Sequence, residues 1–497
     1  MNKLKTVLLM VLLVNVLQAQ TKNIFLSREF WKTSPKIEIV EQKIKEGHNI
    51  SELNQYGFDA VVYAILEKVP NTLIKYLLSK KGNSVNKLTH DKRTYVFWAA
   101  YANNVELMAY LIDRNARMDL KDAHHFSVLT FAAATGQTNK QIYDLCIKNG
   151  IDIKNDKDEH GANALLLIAP FLKDITLIEY FTSKGIDIHS TDDIGNGIFN
   201  YAAKNGNIEI MKRLIKLGVS YNTLNNEGGN AIIFASQGTR QHINSIETFK
   251  YLESLGINSN VTTTKGVTPL HALAYRSKDI STFNYFIDKG VDVNQATSDG
   301  NTPFLNAANN NTITIVSHLF KQVKNINFTN KDGKSALTNA VYKNSIDVVE
   351  FLLKQGADTS IKDKNGNNLT YYLFKSFDLK NIDTFNKKLA LLIKHNLDLK
   401  ETQGNGDTLF HLALETGNLD LLKRVNTMGI NINTKNNDGI SPLQEAVMKA
   451  KDDTVLKYLL SVGADKTVKT DFDETIYDLA KENELLKTHN IDINFLK

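Results

Sequence analysis

Histidine is the residue type that first suggests chemistry here, because neutral imidazole is a common metal ligand and general base. The twelve histidines are scattered, and no two have the HExxH spacing of a helical zinc site. His124, His125 and His160 form the one cluster, since equivalent tips of neighbouring repeat units would place them about 10 Å apart. No carboxylate or further imidazole supports them, so we predict no metal site.

Nucleophiles and phosphate-binding loops are equally sparse. Residues 333–335 (Gly-Lys-Ser) match the end of a phosphate-binding loop, but Phe328 stands where that motif requires glycine. Cys146, the single cysteine, lies in an apolar run and is expected to be buried and unreactive. The G-x-S-x-G motif is absent, and the carboxylates at 192–193 fall in a polar turn. We therefore predict no catalytic residues, no cofactor and a protein that is not an enzyme.

The first nineteen residues have the order of a secretory signal peptide. Lys3 and Lys5 precede an apolar run at 6–17, and Ala19 supplies the small residue before a cleavage site. The run is too short for a helix that crosses a hydrocarbon core of about 30 Å. We predict export to a bacterial periplasm or secretion, and no membrane span in the mature chain.

Composition narrows the function classes further. Of 497 residues, 42% are hydrophobic and 23% are charged, as in ordinary folded proteins. One cysteine excludes an internal disulfide framework. The net charge of +5 is too balanced for a dedicated nucleic-acid binder, so nucleic acid is not the expected partner.

The rest of the chain repeats one unit. Three segments set the phase, at 266–274 (GVTPLHALA), 300–308 (GNTPFLNAA) and 439–446 (GISPLQEA). Followed in both directions, their Thr or Ser position always carries a residue type that caps the N-terminus of a helix. The predicted caps are Asp59, Thr94, Ser127, Asn163, Gly197, Asn230, Thr268, Thr302, Ser335, Asn368, Thr408, Ser441 and Thr475.

Two further positions share this period. The fifth residue after the cap is alanine in ten units, which lets neighbouring helices approach closely. A glycine or asparagine marks the end of each second helix, because these residues readily take the left-handed conformation. The predicted stops are Gly47, Gly82, Asn115, Gly150, Gly185, Gly218, Gly256, Gly290, Asn325, Gly356, Asn396, Gly429 and Gly463.

This pattern resembles the ankyrin repeat family. The likeness is carried by residues 268–274 (TPLHALA), by Asp-Gly at 299–300, 332–333 and 438–439, and by Gly-Ala-Asp at 356–358 and 463–465. It implies an all-α repeat solenoid, an ankyrin-like stack of helix-turn-helix units with short β-hairpin or turn tips. The units capped by Asn163 and Asn368 depart most from the pattern.

The repeat also predicts how the chain is divided. We predict a signal peptide at 1–19, a capping segment with a degenerate first repeat at 20–56, about thirteen units over 57–487, and a tail at 488–497.

The family resemblance implies where a partner would bind. In the ankyrin arrangement the hairpin tips and the ends of the first helices line a concave groove. The residue before each cap, and those seven and eight after it, include Tyr, Arg, Lys and Asn, which suit a protein interface. The candidate partner-binding residues are Arg93, Tyr101, Phe126, Lys204, Asn205, Tyr275, Arg276, Lys334, Tyr342 and Lys343. The family pattern also implies that His271 and His411 hydrogen-bond within hairpin turns.

Bulky side chains follow the caps of the first six units at one position. Four residues after the cap stand Tyr63, Trp98, Phe131, Leu167, Tyr201 and Phe234. These residues either fill the core between repeats or form an aromatic ladder that docks a peptide.

The sequence as a whole favours an exported, monomeric scaffold that binds a protein through this groove. The alternative is a binder of an anionic polymer or nucleic acid that uses Lys204, Arg276, Lys334, Lys343 and Lys449, which would show a steep salt dependence. An enzyme built on the solenoid is the third class, and no acid, base or metal set lies in phase to support it.

Overall fold

Helices dominate the structure. A computed structural model describes residues 23–497, so the predicted signal peptide lies outside the described residues. The part of the chain that is described contains 28 α-helices, five short 3-10 helices and three isolated antiparallel bridges. The predicted all-α repeat class is therefore confirmed. The chain divides into two compact units, with the boundary between Ile257 and Asn258.

The first unit opens with a short segment and continues with six helix pairs. The opening helices are Arg28–Lys32 and Ile37–Lys45. The pairs, each a shorter first helix followed by a second, are Ala60–Leu66 with Asn71–Leu78, Tyr95–Tyr101 with Val105–Ile112, Val128–Ala134 with Lys140–Lys148, Ala164–Ile168 with Thr176–Ser183, Ile198–Ala203 with Ile208–Lys216, and Ala231–Gln237 with Ile246–Ser254.

The second unit contains seven pairs. They are Pro269–Arg276 with Ile280–Asp288, Pro303–Asn310 with Ile313–Phe320, Ala336–Lys343 with Ile346–Lys354, Leu369–Lys375 with Ile382–Lys394, Leu409–Glu415 with Leu419–Asn426, Pro442–Lys449 with Thr454–Ser461, and Ile476–Glu482 with Glu484–Thr488. Within each unit the first helices of successive pairs pack side by side. The predicted division into signal peptide, capping segment, array and tail stays a prediction.

All thirteen predicted caps stand at the N-terminus of a first helix. At Ser335 the cap is reciprocal. The Thr338 main-chain N–H donates to Ser335 Oγ (3.2 Å), and the Ser335 N–H donates to Thr338 Oγ1 (3.3 Å). Such a box satisfies two donors that the first helical turn leaves without partners.

The predicted left-handed stops are confirmed with one exception. All ten glycines and two of the three asparagines have positive φ, as at Gly356 (85°) and Asn396 (66°). Asn325 does not, because the preceding helix ends earlier, at Phe320. The side chain of Asn325 instead closes a local turn, in which Oδ1 accepts the Asn327 N–H at 2.9 Å.

Asparagines that are buried or half-buried join successive repeats. Asn311 Nδ2 donates to the carbonyls of Ala274 and Ser277, each at 2.8 Å, and thereby satisfies acceptors at the end of the previous first helix. Asn344 repeats the contact one unit later, to Ala308 at 2.9 Å. These amides couple neighbouring repeats by satisfying main-chain carbonyls at the ends of first helices.

The repeat capped by Asn368 replaces this asparagine with a lysine. Its second helix, Ile382–Lys394, is the longest in the described residues. Lys388 from that helix is buried, and its Nζ donates to the carbonyls of Val341 (2.8 Å) and Ala340 (3.3 Å). Burial without an acidic partner lowers the pKa of Lys388 to about 8. The lengthened repeat is thus still coupled to a preceding repeat, with the amine of Lys388 as the donor in place of an asparagine amide.

The other irregular repeat is shortened. Its first helix ends at Ile168, and a 3-10 turn over Ala169–Phe171 follows, where Pro170 cannot continue an α-helix. Within residues 23–497, no helix combines the length and the apolar character that a bilayer crossing requires.

Candidate protein-binding surface

A main-chain hydrogen bond closes each tip that precedes a cap, and in most tips a side chain that sequence reasoning missed adds a second bond. In all thirteen tips, the N–H of the residue five before the cap donates to the carbonyl of the residue just before it. At Asn330 and Lys334 this bond is 3.1 Å, and the Asn330 Oδ1 accepts the Lys334 N–H in return at 3.0 Å. Every residue at that position is Asn, Asp, Thr or Gln, which is the signal that would have revealed it.

Neighbouring tips also bond to each other through the main chain. In the second unit, Lys331 N–H donates to Asp299 O (2.9 Å), and Lys364 N–H donates to Asp332 O (2.7 Å). Gly333 has φ of +78°, and a Cβ there would lie 2.8 Å from the Cα of Asp363 in the next tip. Glycine is therefore required both by conformation and by close approach. The tips at 297–301, 330–334 and 363–367 therefore form an internally bonded row.

For each of the two units by itself, we call the tip surface the set of residues four to one before each cap, together with those four, seven and eight after it. All ten candidate binding residues belong to it. Their environments differ, and the difference decides which of them can reach a partner.

Arg93 is buried rather than displayed. It is 8% exposed, its Nη2 lies 2.7 Å from Asp122 Oδ2, and its guanidinium stacks 4.4 Å from the ring centre of Phe131. A second carboxylate, Asp91, lies 3.0 Å from Nη1. We therefore correct the prediction for Arg93, because its charge and its donors are used inside the first unit.

The other candidates in the first unit are partly or fully exposed. Tyr101 is exposed, with its ring against Trp98, while Phe126 and Asn205 are half-buried. Lys204 lies over the rings of Tyr201 (5.2 Å) and Phe234 (5.0 Å), and burial of its amine lowers its pKa.

The candidates of the second unit lie at the surface. Tyr275, Tyr342 and Lys343 are exposed, and Arg276 and Lys334 are half-buried. Lys334 Nζ lies 3.3 Å from Asp332 Oδ2, and Lys343 Nζ lies 5.2 Å from the ring centre of Tyr342. These side chains keep atoms open to solvent, while their main chain belongs to a helix or, for Lys334, to a hydrogen-bonded tip.

Most of the proposed aromatic ladder belongs to the core. Trp98, Phe131, Tyr201 and Phe234 are at most 9% exposed. Tyr201 also donates its hydroxyl to Asp192 Oδ2 at 2.9 Å, which fixes the tip beside it. The burial supports the interpretation that these side chains fill the core between repeats, because buried rings offer little area to a bound peptide.

The histidines take structural positions. His271 accepts the Thr268 N–H on Nδ1 (3.0 Å) and donates from Nε2 to Asn301 O in the next repeat (3.0 Å). Burial lowers the pKa of His271 and so favours the neutral ring. His411 makes the same pair of contacts, to Thr408 and Ile440. The hydrogen bonds implied for both residues are confirmed.

The remaining candidates for chemistry stand apart from one another. His124 Nε2 lies 3.4 Å from Asp91 Oδ2, whereas His160 Nε2 lies 3.8 Å from Glu159. Over residues 23–497, no three histidine, cysteine or acidic side chains converge as metal ligands would. Cys146 is fully buried, as predicted, and burial raises the pKa of its thiol.

Comparison with known proteins agrees with the repeat geometry. The family model described as ankyrin repeats (three copies) matches residues 32–122, 165–265, 199–297, 270–363 and 381–470. Because these matches cover well over half of the chain, the protein belongs to the ankyrin repeat family. Ankyrin repeats generally mediate protein–protein interaction and are typically scaffolds rather than enzymes.

Two curated relatives are similar over part of their length. Ankyrin repeat protein nuc-2 of Neurospora crassa is 24% identical over 200 residues, which is 40% of this chain and 18% of that protein. An ankyrin repeat protein of Acanthamoeba polyphaga mimivirus is 24% identical over 255 residues, 46% of this chain and 33% of that protein. The chain thus spans a third or less of the relatives it matches.

Proposed function

We propose that the protein is an exported scaffold that binds a protein partner through its tip surface. One observation carries the proposal. Tyr101, Tyr275 and Tyr342 all stand seven residues after a cap, and they are 47%, 41% and 38% exposed at the ends of helices that are otherwise largely buried. Tyrosine is enriched in the energetically dominant parts of protein interfaces.

The packing around these tyrosines supports such a role. Each is attached to a helix whose cap, tip and neighbouring repeat are joined by main-chain hydrogen bonds. A side chain held in this way loses little conformational entropy when a partner binds. We therefore expect the partner to bind side chains that already have their bound conformation, without refolding of this protein.

The test is a binding comparison with a matched control. The variant Tyr101→Ser with Tyr275→Ser and Tyr342→Ser is compared with a control that carries Leu217→Ser and Ile393→Ser. These two changes remove exposed apolar side chains (44% and 46%), one directly after a second helix and one within a second helix. We expect the tyrosine variant to lose its stoichiometric partner in affinity purification from the native host, while the control retains it. Equal retention by both variants would contradict the proposal.

We propose further that the chain acts outside the cytoplasm, as a monomer until it meets its partner. The order of residues at 1–19 supports export. Cell fractionation and N-terminal sequencing test this, with a mature chain that begins at Gln20 as the expected result. A full-length chain recovered in the cytoplasm would refute it.

A further inference from the structure

The tip surface of the second unit has a sharp reversal of charge along its length. In its first four repeats, seven basic residues stand against two acidic ones, with Lys331, Lys334, Lys343, Lys364 and Lys375 among the basic residues. In its last three repeats, eight acidic residues stand against one basic residue, and these include Asp407, Asp438, Asp471, Asp473 and Glu474. None of these side chains is buried. The face is therefore basic at one end and acidic at the other.

Ion pairs inside the face do not cancel this polarity. Asp332 lies between Lys334 (3.3 Å) and Lys364 (2.5 Å), so a single carboxylate is shared by two amines. Lys343 has an aromatic ring as its neighbour and no carboxylate within ion-pair distance. At the acidic end, Lys449 pairs with Glu445 and Lys469 pairs with Asp473 (3.3 Å), whereas Asp407, Asp438, Asp471 and Glu474 take part in no ion pair among the described residues. Each end therefore has net charge to offer a partner.

The reversal coincides with a cavity of mixed polarity. Between the repeats capped by Asn368 and Thr408 lies a cavity of about 220 Å³, which is lined by the apolar residues Phe374, Phe377 and Leu412 and by Tyr371, Lys375, Glu415 and Thr416. Lys375 and Glu415 form an ion pair of 2.8 Å at its edge, where the basic part of the face gives way to the acidic part. Its volume lies below the roughly 300 Å³ of small-molecule pockets, so the cavity can accept one side chain of a bound segment.

We infer that the second unit binds an elongated segment of its partner that is acidic at one end and basic at the other. This inference rests on the proposed function and identifies the chemistry of its partner. Repeats about 10 Å apart make the basic part some 30 Å long, which an extended peptide spans with about nine residues. Charge complementarity fixes the direction in which the segment lies and excludes segments of a single sign.

Synthetic peptides test the inference with the full-length chain at low ionic strength. Two probes join about nine glutamates to about nine lysines through two leucines, one in each chain direction, and a third has the same composition in alternating order. We expect at least one block peptide to bind about tenfold more tightly than the alternating peptide. Carbodiimide should link its glutamates to Lys334 or Lys343 and its lysines to Asp438 or Glu474.

Charge-reversed variants complete the test. Lys334→Glu with Lys343→Glu should weaken the block peptide by about tenfold, whereas Lys354→Glu with Lys423→Glu, on exposed second-helix positions, should not. Equal binding of block and alternating peptides would overturn the inference. So would a polyglutamate that binds as tightly as the block peptides, because the surface would then be a polyanion site. Loss of the native partner in the tyrosine variant, with no peptide discrimination, would leave the proposed function standing and reject the bipolar segment.

Discussion

Asn311 offers the sharpest test of how the repeats are held together. Its amide donates to two carbonyls of the previous repeat, and its Oδ1 accepts the Thr312 N–H at 2.8 Å. The side chain is buried, so Asn311→Ala leaves two buried acceptors and one half-buried donor without their partner. Lost hydrogen bonds and stranded groups together should cost about 3 kcal/mol.

The measurement is hydrogen exchange of the full chain, read on peptides from the helices Pro269–Arg276 and Pro303–Asn310. A cost of about 3 kcal/mol corresponds to exchange roughly a hundredfold faster, if opening of this pair of repeats governs exchange. The control is Asn310→Ala, whose exposed amide bonds to Tyr275 O at 3.1 Å and should matter by less than about 0.5 kcal/mol. Exchange in Asn311→Ala within about twofold of the parent chain would refute this account of inter-repeat coupling.

Three further outcomes follow from the same packing. Gly333→Ala should destabilise the chain clearly more than Gly356→Ala. Both glycines have positive φ, but only at position 333 would a Cβ lie 2.8 Å from main-chain atoms. Urea unfolding compares the two variants, and equal unfolding midpoints would contradict the tip geometry. Lys388 has a lowered pKa, so the unfolded chain holds its proton more tightly and stability should rise as pH increases from about 8 to 10.4. The gain is on the order of 3 kcal/mol and should be absent in Lys388→Met; parallel pH profiles of the two chains would count against the buried amine. Cys146 should react with iodoacetamide only when the first unit opens, so the extent of alkylation should follow urea unfolding. Rapid labelling of the folded chain would contradict this prediction, because it would show that the thiol is accessible.

The sequence determines the helix starts and most of the helix stops because both depend on local chemistry. A cap such as Ser335 needs only its own oxygen and the first turn of the helix, and a stop such as Gly356 needs only a permissive φ. Asn325 shows the limit of this reasoning, since an asparagine can take the left-handed conformation or accept a hydrogen bond in a turn.

Site residues were harder to predict because their state depends on neighbours in the next repeat. Arg93 is a residue type that is common in interfaces, and it stands directly before a cap. The residues that bury it, Asp122 and Phe131, lie 29 and 38 positions further along the chain. Lys388 likewise contacts carbonyls 47 and 48 positions away. Such pairs require the stacking geometry itself, whereas the exposed tyrosines follow from helical phase alone.

Cross-linking mass spectrometry of the native complex tests the central claim most directly. An amine-reactive linker would join the partner to this chain wherever their lysines approach. A partner held by the tip surface should yield links at Lys334, Lys343 and Lys364, and few at Lys354 and Lys423 on the second helices. Links concentrated on the second helices would contradict the claim that the tips and first helices form the binding face.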